Sequence, residues 1–246
     1  MRKVAIVLLA AIAVLSAACG ATNTSSGATK AGVGVLNGKT GAQILSAATA
    51  AERKVGAARY VLTATSGSQH QTISGDASGS DARQTVTLGS QTVQVIEVGG
   101  AVYVEGNAAG LGSAMGLSSA IASKYADKWI SVQKTDSVYS AIVDSVSLDK
   151  TLSALAPTGK LTLTAPLTVG GRQAIGVHGG LPQGTQSGVT GSETIYVAST
   201  DPTVPLEFKG TASTGVTDVG TFSHWGETLH LSVPSPTVPY TTVTAK

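Results

Sequence analysis

Alternation with a period of two recurs along this chain from residue 59 onward and sets the terms of its fold. Tyr60, Leu62 and Ala64 alternate with Val61, Thr63 and Thr65, and Leu161, Leu163, Ala165 and Leu167 alternate with Lys160, Thr162 and Thr164. Residues two apart share one face of a strand, so each run predicts a strand with an apolar side and a wet side. Residues 93–98 and 101–105 are two such runs joined by Gly99-Gly100, which predicts a tight hairpin. Gly170-Gly171 predicts a second hairpin into residues 173–178. Further strands are predicted at residues 71–78, 83–88, 129–132, 193–198, 206–211, 216–222 and 228–233. Pro234, Pro236 and Pro239 predict an extended tail.

The period changes in three places. Residues 40–55 carry Ile44, Leu45, Ala48 and Ala51 at helical spacing, with Thr40 as N-cap and Gly56 as stop. Met115, Leu117, Ile121 and Tyr125 predict a helix over residues 113–125. Residues 137–155 read as one or two short helices, closed by Pro157 and Gly159. Helices thus come early and centrally, and strands come in two long runs. That order predicts an α+β fold, with helices on one face of a large antiparallel sheet.

The N-terminus is of another kind. Arg2 and Lys3 precede an unbroken apolar run at residues 4–15, and Ser16, Ala17 and Ala18 lead directly into Cys19. This is the pattern of a secretory leader, and the run is too short to span a bilayer. Cys19 is the only cysteine, so no intramolecular disulfide can form. An unpaired cysteine in an exported chain is a free thiol, an intermolecular bridge or a modification site. The stretch Leu15-Ser16-Ala17-Ala18-Cys19 resembles a bacterial lipobox, with Leu15 one place further from the cysteine than that signal prefers. The resemblance implies a diacylglyceryl group on Cys19. Two acyl chains anchor stably where one does not. Residues 1–18 are therefore expected to be the leader, 19–33 a flexible tether of small polar residues, and 34–246 a single domain. The expected location is the outer face of the cytoplasmic membrane. Losing Arg2 and Lys3 brings the formal charge of +2 to about zero. With no basic block anywhere, nucleic acid is not an expected partner. The Ala, Gly, Ser, Thr and Val bias is that of a GC-rich genome, such as an actinomycete.

Several segments, in order, resemble the actinobacterial LppX/LprG-type lipoproteins, relatives in fold of the LolA and LolB lipoprotein carriers. After the early helix comes Val95-Ile96-Glu97-Val98-Gly99-Gly100-Ala101-Val102-Tyr103-Val104, then Tyr125-Ala126-Asp127-Lys128-Trp129-Ile130-Ser131-Val132. Ile195-Tyr196-Val197 precedes Pro202 and Pro205, and Phe222-Ser223-His224-Trp225-Gly226-Glu227 leads to Val233-Pro234. The resemblance implies a curved half-barrel sheet around helices, with an apolar cavity between them. It also implies binding of acylated lipids or glycolipids and their movement within the envelope. Candidate lining residues are those on apolar strand faces: Leu62, Val93, Val95, Val102, Val104, Leu161, Leu163, Ile195, Val197, Leu206 and Phe208. At any single position ordinary core packing on the helices is the stronger reading, because one sheet face must bury a core in any case. The many Ala, Gly, Ser and Thr residues fit a roomy interior or a narrow, close-packed one.

Catalytic chemistry is not expected. Ser131-Val132-Gln133-Lys134 and Lys39-Thr40-Gly41 match fragments of penicillin-recognising enzymes, but in the wrong order along the chain. Gly32-Val33-Gly34 lacks the third glycine of a dinucleotide fingerprint. His70, His178, His224 and His230 show no metal-ligand spacing, and neither metal nor cofactor is expected. A monomer is the default. Two rivals stand beside the lipid carrier: a ligand-free envelope scaffold on the same fold, and an envelope hydrolase using Ser131 and Lys134.

Overall fold

The computed structural model describes residues 34–182 and 188–245. The leader, the tether and Cys19 lie outside the described residues. A short 3-10 turn, Gly34–Leu36, leads to α1 (Gly41–Val55). Thr40 caps α1 in a box: its hydroxyl accepts from Gln43 N while the Gln43 side chain accepts from Thr40 N. Gly56, at φ 74°, ends it. A five-strand meander follows: β1 (Ala57–Ser66), β2 (Gln69–Ser78), β3 (Asp81–Leu88), β4 (Gln91–Val98) and β5 (Ala101–Gly106). Then come α2 (Ala108–Met115), α3 (Ser119–Tyr125), β6 (Trp129–Val132), α4 (Tyr139–Val146) and α5 (Leu148–Ala154). The second run holds β7 (Thr158–Leu163), β8 (Leu167–Val169), β9 (Arg172–Gly180), β10 (Gly191–Ala198), β11 (Pro205–Ala212) and β12 (Thr217–Ser223). The chain closes with β13 (Thr237–Pro239) and α6 (Tyr240–Thr244).

Among the described residues all 13 strands join one open sheet, in the order β13-β6-β5-β4-β3-β2-β1-β12-β11-β10-β9-β7, with β8 also beside β9. The two strand runs meet at its centre, where β1 pairs with β12. Both predicted glycine turns are present. Gly99 and Gly100 have φ of 62° and 76°, and Gly170 and Gly171 of 54° and 79°. Positive φ at both central positions gives the twist that a two-residue hairpin needs.

Four expectations are corrected. Residues 113–125 are not one helix: Gly116, at φ 66°, ends α2, and Ser118 caps α3. The alternating run at 160–167 is broken after β7, because Pro166 cannot donate to the ladder. Residues 228–233 form no strand; they belong to the long connection from β12 at the sheet centre to β13 at its edge. The proline tail does not simply trail away. Thr237, Val238 and Pro239 pair in parallel with Trp129, Ile130 and Ser131, and α6 buries Val243 in the core. That pairing covers the edge of β6 that would otherwise stand open.

Candidate functional site

The register places one side of every central strand toward the helices. Val177, Ile195, Phe208, Gly220, Leu62, Ile73, Val86 and Val93 form one row across eight strands. The next row carries Phe222, Tyr60, Gly75, Gln84, Val95, Val104 and Ile130. Leu62, Val93, Val95, Val102, Val104, Ile195, Val197 and Phe208 are all buried in the main core cluster. Leu161 and Leu163 are half-buried against it. Leu206 is the exception. The β10–β11 register shifts between Tyr196 and Val197, so that Val197 faces Pro205. Leu206 sits instead in a smaller cluster with Ala174, Ala198 and Val204.

The helices seat on the two wings of the sheet. Helix α1 lies over β7, β9 and β10 with α5 beside it; α2 lies over β4 and β5, and α4 over β3, β4 and β5. Between the wings the floor is β11, β12, β1 and β2, carrying Phe208, Phe222, Tyr60 and Leu62. Alternation could have flagged Tyr60 and Phe222 as well, since both stand on the apolar face. Their rings form a tilted chain with Trp225: centroids are 6.5 Å apart for Tyr60–Phe222, 6.3 Å for Phe208–Phe222 and 6.2 Å for Phe222–Trp225. These spacings lie within the ~4.5–7 Å of interacting aromatic pairs. Trp225 is tied down by its Nε1–H, which donates to Pro205 O at 3.0 Å.

The interior is not wholly apolar. The buried Tyr60 hydroxyl donates to Gln84 Oε1 at 2.8 Å on this face of the sheet. Glu193 lies in the helix-facing row with Gly210 and Asp218. It is 1% exposed, and neither carboxyl oxygen has a hydrogen-bond partner. Burial first, and the neighbouring Asp218 second, push its pKa up to about 9. Asp218 is itself raised by burial, against hydrogen bonds from its own and the Gly210 backbone. The alternation Glu193, Ile195, Val197 could have flagged Glu193, but a carboxyl on an apolar face reads against type.

A cavity of about 190 Å³ opens between α1, α5 and the β10–β11 end of the sheet. Leu45, Ala48, Leu152, Ile195 and Pro205 supply its apolar wall, and Glu52 and Asp149 its polar one. Arg53 joins the two helices there, donating to Asp149 Oδ1 at 3.1 Å. The volume falls below the ~300–1,000 Å³ of small-molecule sites.

Of the catalytic fragments, Thr40 is engaged as a helix cap, and Ser131 lies on the edge-paired β6. His178 Nδ1 sits 2.9 Å from Thr194 Oγ1 on the opposite face. His224 and His230 are exposed. Among the described residues no group of three His, Cys, Asp or Glu could hold a metal ion, and no helix is long and apolar enough to cross a membrane.

No protein-family model matches the sequence, and no curated protein matches it. Solved structures are similar in fold at low identity. LprF from Mycobacterium bovis is 12% identical, over 80% of this chain and 97% of that one, with a TM-score of 0.50. The lipoprotein LppX of Mycobacterium tuberculosis is 14% identical, over 78% of this chain and 99% of that one, with a TM-score of 0.49. The chain is thus an α+β protein with the open-sheet architecture of LprF.

Proposed function

We propose that this protein is an envelope lipoprotein, anchored through a diacylglyceryl group on Cys19, that holds the acyl chains of a lipid or glycolipid between its sheet and helices and carries them within the envelope. The observation that supports this most is the helix arrangement. A wide sheet turns one apolar side to helices that sit on its wings, so the α layer can part over the β11-β12-β1-β2 floor. Acyl chains would lie along that floor between the helices, leaving a polar headgroup at the mouth. Each buried methylene contributes about 0.8 kcal/mol, so a dozen contribute on the order of 10 kcal/mol toward opening the α layer. No catalytic step is part of the proposal.

One observation favours a second reading. Tyr60 and Phe208 are 0% and 1% exposed, so the interior is filled as it stands. A protein that never opens would be an envelope scaffold working through its outer surfaces. Native mass spectrometry separates the two. The chain lacking residues 1–18 and carrying Cys19→Ala is incubated with total envelope lipid from an actinomycete. The carrier reading expects a discrete adduct that is released on denaturation, and its mass gives the lipid class. A bare polypeptide under these conditions favours the scaffold.

A further inference from the structure

The face of the sheet turned away from the helices carries a second concavity. Arg59 on β1, Asp76 on β2 and Arg83 on β3 stand directly opposite one another across three strands. Arg59 Nε donates to Asp76 Oδ1 at 2.7 Å, and Arg83 Nε donates to Asp76 Oδ2 at 2.8 Å. Burial raises the Asp76 pKa, but the two guanidinium hydrogen bonds outweigh it and hold the carboxyl below its usual value. Asp76 is thus a fixed anion, with a side chain only 15% exposed, that aims two cations. Each arginine spends its Nε–H on this strut, and among the described residues no hydrogen bond engages the Nη groups of either. The arginine side chains are 46% and 54% exposed. They border a trough of about 450 Å³ whose other walls include Ser74, Thr85, Gln94 and Ile96.

These features describe more than a ladder that staples three strands. A ladder needs the Nε contacts alone. Here the Arg59–Asp76–Arg83 triad carries one net positive charge, turns planar donors toward the trough and opens onto a space within the ~300–1,000 Å³ of small-molecule sites. Guanidinium forks match the oxygens of a phosphate in geometry and charge. The hydroxyls of Ser74 and Thr85 and the amide of Gln94 suit a hydroxylated moiety beside that charge. Glu227 acts electrostatically on Arg59 and offsets part of that charge, so binding there rests on directed guanidinium hydrogen bonds rather than on the field alone.

We propose that this trough binds a phosphate ester, gripped by the free Nη groups of Arg59 and Arg83, with Asp76 as the positioning residue. The site is separate from the interior and does not depend on what the interior holds. The ester could be a small soluble molecule or a phospholipid headgroup. The full-length protein is titrated calorimetrically with glycerol phosphate, and mixed separately with phosphatidylglycerol vesicles and with phosphatidylcholine vesicles. Arg59→Gln and Arg83→Gln are compared with the exposed Lys160→Gln on β7. Saturable glycerol phosphate binding, weakened at least about tenfold in each arginine variant and unchanged in the lysine variant, supports the site and assigns a soluble ester. Arginine-dependent binding to phosphatidylglycerol vesicles alone supports it and assigns a headgroup. Failure of the wild-type protein to bind either probe overturns it, as does binding that all three variants weaken equally.

Discussion

Glu193→Gln is expected to stabilise the protein at pH 8 and to change its stability little at pH 5. Folded Glu193 keeps its proton up to about pH 9, while the ordinary carboxyl of the unfolded chain loses it near 4.5. Between these values the folded state binds more protons than the unfolded state, so stability falls as pH rises. The contribution is complete below the unfolded value and lost progressively as pH rises to the folded one. Each unit is worth about 1.4 kcal/mol. Allowing for relaxation around the group, the variant should gain about 2–4 kcal/mol at pH 8, a rise on the order of 5–10 °C in Tm. Glutamine fills the same space without titrating, so its melting curve should lose this part of the pH slope. Thermal melts of both proteins from pH 5 to pH 8.5 check this. Parallel pH profiles would mean that Glu193 ionises freely in the fold.

Gly220→Ala carries the second large effect. A Cβ at Gly220 would run into the Phe208 ring and come within 2.7 Å of Leu62 Cδ2. Phe208, Gly220 and Leu62 are cross-strand neighbours in one row, so the glycine is the space into which two larger side chains lean. Its φ is not in the left-handed region, so the demand is for room rather than backbone freedom. Overpacking of a closed core costs about 1–3 kcal/mol, and the upper end is expected because both neighbours are buried. Gly112→Ala is the control. Gly112 lies in α2, and its nearest contact would be an ordinary 3.5 Å to Leu117 O. Alanine there should be neutral or stabilising by up to about 1 kcal/mol. Urea midpoints of the two variants should therefore move apart. Equal midpoints would contradict the packing described for the floor.

What the sequence discloses follows from how local the cause is. Alternation is local, so strands and their apolar sides are legible, and the burial of Leu62, Val95 and Phe208 follows from it. The Gly-Gly turns are local too. Pairing across the sheet is not. Nothing in Thr237, Val238 and Pro239 announces a parallel partner 108 residues earlier, or that Val243 will be buried. Leu206 shows the same limit on a smaller scale, because a one-residue shift in the β10–β11 register removes it from the row that its parity implies. Arg59, Asp76 and Arg83 are unremarkable in the sequence. Only the register of three strands brings them into contact.

An acyl chain is expected to enter on the helix-facing side of the sheet. Paramagnetic broadening by a doxyl-labelled fatty acid locates the chain directly, read from methyl and aromatic signals of the protein lacking residues 1–18 with Cys19→Ala. Selective broadening of Leu62, Ile195 and Phe208 is expected, while Val61 and Val219, 42% exposed on the opposite face, stay sharp. Broadening confined to Val61 and Val219, or none at any of the five, would contradict it.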